Sequence, residues 1–163
     1  MAPSQQPEIR RAAPEDALTI ANLLRESFAA FEPLYTANGF NATTPTAQKV
    51  LERMQEGPVW LALRDGQALG TVAVVIKGKS GHIRGMAVRP SARGTGIGAE
   101  LLQHVENWAR GEQCIRLVLS TTPFLSEAIR LYKRFGFQRT DEGPSDLFGT
   151  PLFTMAKTIS TSK

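Results

Sequence analysis

Apolar residues along the chain fall into two spacings, short continuous or alternating runs and longer stripes at helical intervals, and the order of these segments sets the expected fold. Ile9 to Ala12 reads as a short first strand. Pro14-Glu15-Asp16 then opens a helix with acidic residues in its first turn, where they complement the positive end of the helix dipole. That helix is predicted to run to about Ala30, with Leu18, Ile20, Ala21, Leu24, Phe28 and Phe31 broadly at helical spacing and directed at a sheet. Glu32 to Thr44 reads as an aromatic loop containing Asn and Gly, and Pro45 to Gln55 as a second helix. Strand-like runs follow at Val59 to Arg64 and Ala68 to Lys77, divided by the hairpin signal Asp65-Gly66, and a third occupies His82 to Val88 after Ser80-Gly81. Ile97 to Arg110 places Ile97, Leu101, Leu102, Val105, Trp108 and Ala109 on one helical face. Ile115 to Leu119 is predicted as a buried strand, Leu125 to Phe135 as a helix, and Phe137 to Arg139 and Leu152 to Lys157 as closing strands. Helices interspersed among strands predict a mixed α/β sheet.

One junction in this order carries chemistry. Val88-Arg89-Pro90-Ser91-Ala92-Arg93-Gly94-Thr95-Gly96-Ile97-Gly98 leads from a strand through a glycine-rich turn straight into an amphipathic helix. Glycine admits positive φ and close approach of the backbone, and the helix start offers unpaired N–H groups and a positive dipole end, so the segment suits a phosphate ester. A nucleotide P-loop needs Lys and Ser/Thr after its last glycine, but Ala99-Glu100 stand there. Gly94-Thr95-Gly96-Ile97-Gly98-Ala99 formally fits a dinucleotide fingerprint, yet five residues including Pro90 separate Val88 from Gly94, several elements lie upstream, and the next strand ends at Ser120-Thr121 without the acidic ribose-binding residue.

Taken as Arg93-x-x-Gly96-x-Gly98, the turn resembles the acyl-CoA pyrophosphate loop of the GNAT superfamily of N-acetyltransferases. Ser126-Glu127-Ala128-Ile129-Arg130-Leu131-Tyr132-Lys133-Arg134-Phe135-Gly136-Phe137 resembles that superfamily's other hallmark, a helix carrying Leu-Tyr and ending in Gly-Phe. The similarity covers about residues 82 to 137, and N-terminal to that it is one of element order.

The resemblance implies an α/β (α+β) fold, a mixed and mostly antiparallel central sheet flanked by helices on both faces, in which the strand at Gly85 to Val88 splays from the strand at Ile115 to Leu119 to admit acyl-CoA. It implies that the backbone of Met86, Ala87 and Val88 bonds the pantetheine arm and that an N–H near Val88 polarises the thioester oxygen. The backbone from Arg93 through Gly94, Thr95, Gly96 and Ile97 to Gly98 would hold the pyrophosphate, joined by the Arg93 charge and the Thr95 hydroxyl. Ser126 stands where the family often has an asparagine contacting the donor. Tyr132 matches the tyrosine that gives a proton to the departing sulfur, a role that suits a phenol protonated at neutral pH. His82 aligns, six residues before Val88, with a strand position at which some members carry a catalytic glutamate. A neutral imidazole there can accept a proton, with a water chain as the rival base.

Composition narrows the rest. A chain of 163 residues is the size of one domain, with loose ends expected at about residues 1 to 7 and 158 to 163. A single cysteine, Cys114, excludes an internal disulfide framework, and with only two histidines no metal site is expected. Cys114 has no signature of an activated nucleophile, which favours direct transfer in a ternary complex over a covalent acyl-enzyme. No signal-peptide core or membrane-length apolar run is present, so a cytoplasmic protein is expected. The net charge of +4 suits an anionic ligand such as CoA, whereas scattered Lys and Arg without an aromatic-interleaved stripe give no expectation of nucleic-acid binding. His104, at the margin of its helical stripe, is expected at the surface.

The expected activity is acetyl transfer from acetyl-CoA to a primary amine of a small molecule, an amino acid or a peptide. The alternative is an acyl-CoA-binding sensor without turnover. Asp141, Glu142 and Asp146 are candidates to attract a cationic amine, and Phe28, Phe31, Tyr35 and Phe40 to wall its pocket. Family members often dimerise, and a homodimer is compatible with the sequence.

Overall fold

The computed structural model describes residues 6–159. Its strands, in chain order, are β1 (Glu8–Arg11), β2 (Val59–Arg64), β3 (Gln67–Lys77), β4 (Ser80–Val88), β5 (Arg116–Thr121), β6 (Gln138–Thr140), β7 (Asp146–Leu147), β8 (Thr150–Pro151) and β9 (Phe153–Thr158). The helices are α1 (Ala17–Phe28), α2 (Ala37–Thr43), α3 (Ala47–Glu56), α4 (Ile97–Gly111) and α5 (Ser126–Phe135). Seven strands form one sheet in the order β1-β2-β3-β4-β5-β9-β6, while β7 and β8 make a separate hairpin. Neighbours in the large sheet are antiparallel except β4 and β5, which run parallel.

Helices cover both faces, and β2 shows how the sequence serves both. Val59, Leu61 and Leu63 join the core under α1 and α3, and Trp60 and Ala62 join the core under α4 and α5, as the two-residue period of a strand requires. On α4, Ile97, Leu101, Leu102, Val105 and Ala109 are buried as the stripe predicts, but so is Glu106. Its carboxylate is compensated by Lys157, 2.6 Å away, and by Arg110 one turn along. On α1 the inward face is Ala17, Ile20, Ala21, Leu24 with Leu23 and Ser27; Leu18 lies off that stripe and is 63% exposed.

Three segments depart from the sequence expectation. The expected loop at Glu32 to Thr44 contains α2, whose first turn is capped by the Thr36 hydroxyl accepting from the Gly39 N–H at 3.0 Å. The same hydroxyl donates to the Phe148 carbonyl at 2.8 Å, and the Thr36 N–H donates to Thr150 Oγ1 at 2.9 Å, so α2 is held by the β7–β8 hairpin, more than a hundred residues away. The buried strand expected at Ile115 to Leu119 runs from Arg116 to Thr121 with Ile115 exposed. At the C-terminus, Thr158 pairs with Arg116 and the Ile159 N–H donates to the Ile115 carbonyl at 2.9 Å, so the chain is ordered two residues further than expected. Of the expected loose ends, residues 1–5 and 160–163 lie outside the described residues.

The feature that shapes the site is a bulge in β4. Thr71 faces Ala87 but Ala73 faces Arg84, so Val72 alone opposes Gly85 and Met86. Gly85 takes φ +57°, the left-handed conformation that lets a strand carry the extra residue. The slip inverts the alternation of β4: Ile83 packs with the α4 core before it, Ala87 with the α1 core after it. Pairing of β4 with β5 is confined to Ser80↔Arg116, Gly81↔Leu117 and His82↔Val118, and the two strands have no mutual ladder beyond the bulge.

Candidate active site

Where β4 and β5 part, a cleft of about 1050 Å³ opens. It is lined by β4 from His82 to Val88, β5 from Val118 onward, the turn before α4, and the side of α5 that carries Ser126 and Tyr132. Its size lies at the upper end of the range for small-molecule and cofactor sites. Strand edges that would ordinarily satisfy one another face the space between them instead.

At the mouth of the cleft, the turn into α4 presents its backbone. Gly94 and Gly96 take φ +79° and +88°, and a Cβ on either would meet nothing within 4 Å, so the turn is open where those side chains would stand. Among the described residues the amides from Gly94 to Ala99 have no protein partner; the next, Glu100, bonds the Gly96 carbonyl at 3.0 Å and starts the helical ladder. Six successive donors at the positive end of a fifteen-residue helix form an anion cradle.

Two contributions expected from this segment are otherwise engaged. The Arg93 N–H donates to the Pro90 carbonyl at 3.3 Å, and its guanidinium donates to the Ser27 carbonyl at 2.7 Å, pinning the turn to the end of α1. The Thr95 hydroxyl donates to the Ala92 carbonyl. With its one proton used within the turn, that hydroxyl is not a free donor, so the cradle is built from main chain.

Deeper in, Tyr132 is buried, its ring edge-on to Phe137 with centroids 6.0 Å apart. Burial, reinforced by the neighbouring Tyr35, pushes its phenol up to about 12, so it is protonated throughout the physiological range. His82 lies at the last paired position before the strands separate and faces the cleft. Burial, with Lys77 and Arg116 nearby, depresses its pKa against the opposing pull of Glu142, which keeps the imidazole neutral at pH 7. Ser126 is the first residue of α5 and lines the same space.

The model for the acetyltransferase (GNAT) family matches residues 19–137, well over half of the chain. The chain belongs to the GNAT family. It is 36% identical over 91 residues to an IAA acetyltransferase of Azospirillum brasilense, covering 55% of this chain and 58% of that one. It is 27% identical over 143 residues to a peptidyl-lysine N-acetyltransferase of Salmonella typhimurium, covering 88% and 91%. The match thus spans little more than half the length of the first of these relatives. Among solved structures, the PaiA N-acetyltransferase of Thermoplasma acidophilum in complex with coenzyme A superposes with a TM-score of 0.81 at 20% identity, covering 94% of this chain and 99% of that one, a likeness of fold.

Within this GNAT cleft, the other candidate residues sort unevenly. Phe28, Phe31 and Tyr35 line the space, whereas Phe40 is buried behind Tyr35. Phe124, not among the expected aromatics, completes the wall, stacking on Phe31 at 6.1 Å and edge-on to Tyr35 at 4.9 Å. Asp141, Glu142 and Asp146 do not line the cleft: Glu142 forms a two-pronged pair with Arg116 at 3.0 and 2.9 Å, and Asp146 accepts from the Gly149 N–H at 2.8 Å. His104 is half-buried against Trp60 at 5.1 Å, away from the cleft, and Cys114 is a buried thiol whose pKa burial raises. Two further lining residues outside the sequence expectation bear on the chemistry. Thr122 presents a buried hydroxyl beside Tyr35, and Arg53 reaches in from α3. An isolated Thr or a helical Arg gives no signal in the sequence, since only the tertiary fold brings either to the cleft.

Proposed function

We propose that this GNAT chain is an N-acetyltransferase that moves an acetyl group from acetyl-CoA to a primary amine in a ternary complex. One observation carries the reading: six unpartnered amides stand at the mouth of a strand pair that has come unzipped, which suits a ligand with a diphosphate at one end and an extended amide-bearing arm at the other. Gly94 to Gly98 would take the diphosphate, and the exposed backbone of Met86, Ala87 and Val88 would pair with the arm as with a missing strand. Ser126, at the head of α5, would lie beside it.

The chemistry needs a neutral amine, a polarised carbonyl and a proton for the leaving sulfur. The amine nitrogen attacks the thioester carbon, the C–S bond breaks as the C–N bond forms, His82 takes the proton lost by nitrogen, and Tyr132 serves the sulfur. Depression of the His82 pKa favours the basic form at working pH. Release of thiol from acetyl-CoA on addition of a primary-amine library, with acetylated amine found by mass spectrometry, is the expected result. Tight acetyl-CoA binding with no thiol release from any amine would make the chain a sensor instead.

His82→Gln tests the base. Because the imidazole accepts the proton only when neutral, wild-type kcat/KM should fall as pH drops through a value below 6.5, the ordinary value for histidine. The variant should lose that acid limb and about 10²-fold in kcat at neutral pH. An unshifted pH–rate profile would assign proton removal to a water chain.

A further inference from the structure

Arg53 sits on the inward face of α3, three residues after the buried Val50, where a charged side chain is out of place unless something answers it. Its guanidinium donates one hydrogen bond, to the Ala42 carbonyl at 3.2 Å, at the end of α2. Its Nη1 lies 3.2 Å from where a Cβ on Gly85 would be, so the missing side chain at the bulge is what admits it. Among the described residues no carboxylate lies within ion-pair distance of it. The acid on its own helix that could serve, Glu56, is paired with Arg84, and Glu52 is paired with Lys49 on the exposed side. Burial and the adjacent Arg84 act against its charge and the more distant pull of Glu56 offsets them only in part, yet a guanidinium stays protonated, so the cost of holding it there is incompletely compensated in the free protein.

The surroundings share its sign. Lys77 lines the same end of the cleft, as does Arg84, whose charge Glu56 answers from outside it, and among the described residues the one lining carboxylate, Glu127, belongs to α5. The anion cradle for the diphosphate lies at the opposite end of β4, beyond Val88. A cationic end, with four of five guanidinium donors unspent at the strand bulge, therefore awaits an anion that the donor's phosphates do not supply.

Building on the acyl-transfer reading above, we infer that the acceptor is a primary amine bearing a carboxylate, of the amino-acid class, and that the Arg53 fork binds the carboxylate beside Gly85. A planar fork matches a carboxylate in two parallel hydrogen bonds and fixes its orientation, which holds the amine of a short acceptor toward the thioester. The same charge distribution repels polycationic amines, so these are poor acceptors.

The test uses the full chain with saturating acetyl-CoA and matched pairs of L-amino acids and their C-terminal amides, read by thiol release, with acceptor affinity measured separately by calorimetry on the CoA-bound protein. The amine of an amide deprotonates more readily than that of the acid, so intrinsic reactivity biases the comparison against the acids. The acid is expected to exceed its amide by about 10²-fold in kcat/KM and to bind more tightly, in keeping with charged hydrogen bonds. In Arg53→Gln the ratio should fall to within a few-fold of one, mainly through acceptor KM, with the thermal midpoint retained; Arg53→Lys, a point charge without the fork, should restore part of it. If Arg53 only ties down α2, the variant lowers acid and amide alike, and the inference is overturned. Equal use of acids and amides by the wild type, or a preference for phosphorylated amines, overturns it too. Were no amine to release thiol, acyl transfer is what fails, and the calorimetric comparison of acid with amide still decides the carboxylate site.

Discussion

Tyr132→Phe should lower kcat about 10²-fold while leaving the KM for acetyl-CoA and the thermal midpoint near their wild-type values, the loss typical of a general acid. The substitution deletes one oxygen and keeps the ring that packs edge-on to Phe137, so a purely structural tyrosine would register little change in rate. The pKa of about 12 sharpens what the phenol does. Against a thiol near 8.5 in water, full transfer of its proton would be uphill by about 5 kcal/mol. The burial that raises the phenol also raises the thiol formed in the same cleft, which narrows that gap. As the proposed acid, Tyr132 would then act first as a hydrogen-bond donor to the sulfur as charge develops, passing its proton late. Because the phenol does not ionise below pH 10, Tyr132→Phe should reduce kcat by the same factor across the accessible range and leave the shape of the pH profile unmoved. An unchanged kcat would return Tyr132 to packing alone; a changed profile would mean that the base had been disturbed as well.

How much of this was readable beforehand follows from which interactions are local. The pattern places Val59 to Arg64 to the residue, because a strand covered on both faces is a continuous apolar run bounded by Pro58 and Asp65-Gly66. The start of α4 was equally plain, since the glycines that stop the turn and the stripe that follows are sequence-local. The bulge in β4 is only hinted at, because Gly85 interrupts the strand as bulge glycines do, while the slip itself shows only as register against β3. Helix α2 was missed for a related reason: the Thr36 and Thr150 contacts that hold it join distant segments, and Ala37–Thr43 has no stripe of its own. Arg53 shows the limit most clearly. In the sequence it is one of several charges on a polar helix, and its standing as a half-buried cation depends on Gly85, which lies on another element. The residues proposed to carry donor recognition thus lie mainly in two contiguous motifs, while those proposed to meet the acceptor are scattered over α3, β4 and the α1–α2 connection.

Gly96→Val should raise the KM for acetyl-CoA about 10²-fold with a smaller change in kcat, because it damages the cradle at two levels. At φ +88° a β-branched side chain is strained by an amount on the order of 1–3 kcal/mol, and relief of that strain turns the neighbouring amides away from their common focus. The added side chain also enters open space next to the amides, where nothing lies within 4 Å of its Cβ. Losing two charge-assisted hydrogen bonds at about 1.5 kcal/mol each accounts for a hundredfold on its own. Gly96→Asn separates the two effects, since asparagine tolerates the left-handed conformation but still fills the space. If occlusion dominates, Asn weakens coenzyme affinity nearly as much as Val; if strain dominates, Asn restores most of it. In both cases acceptor KM, governed from the other end of β4, should change little. A folded Gly96→Val protein that bound acetyl-CoA with undiminished affinity would show that the diphosphate is held elsewhere, and with it the direction in which the donor threads the cleft would have to be reversed.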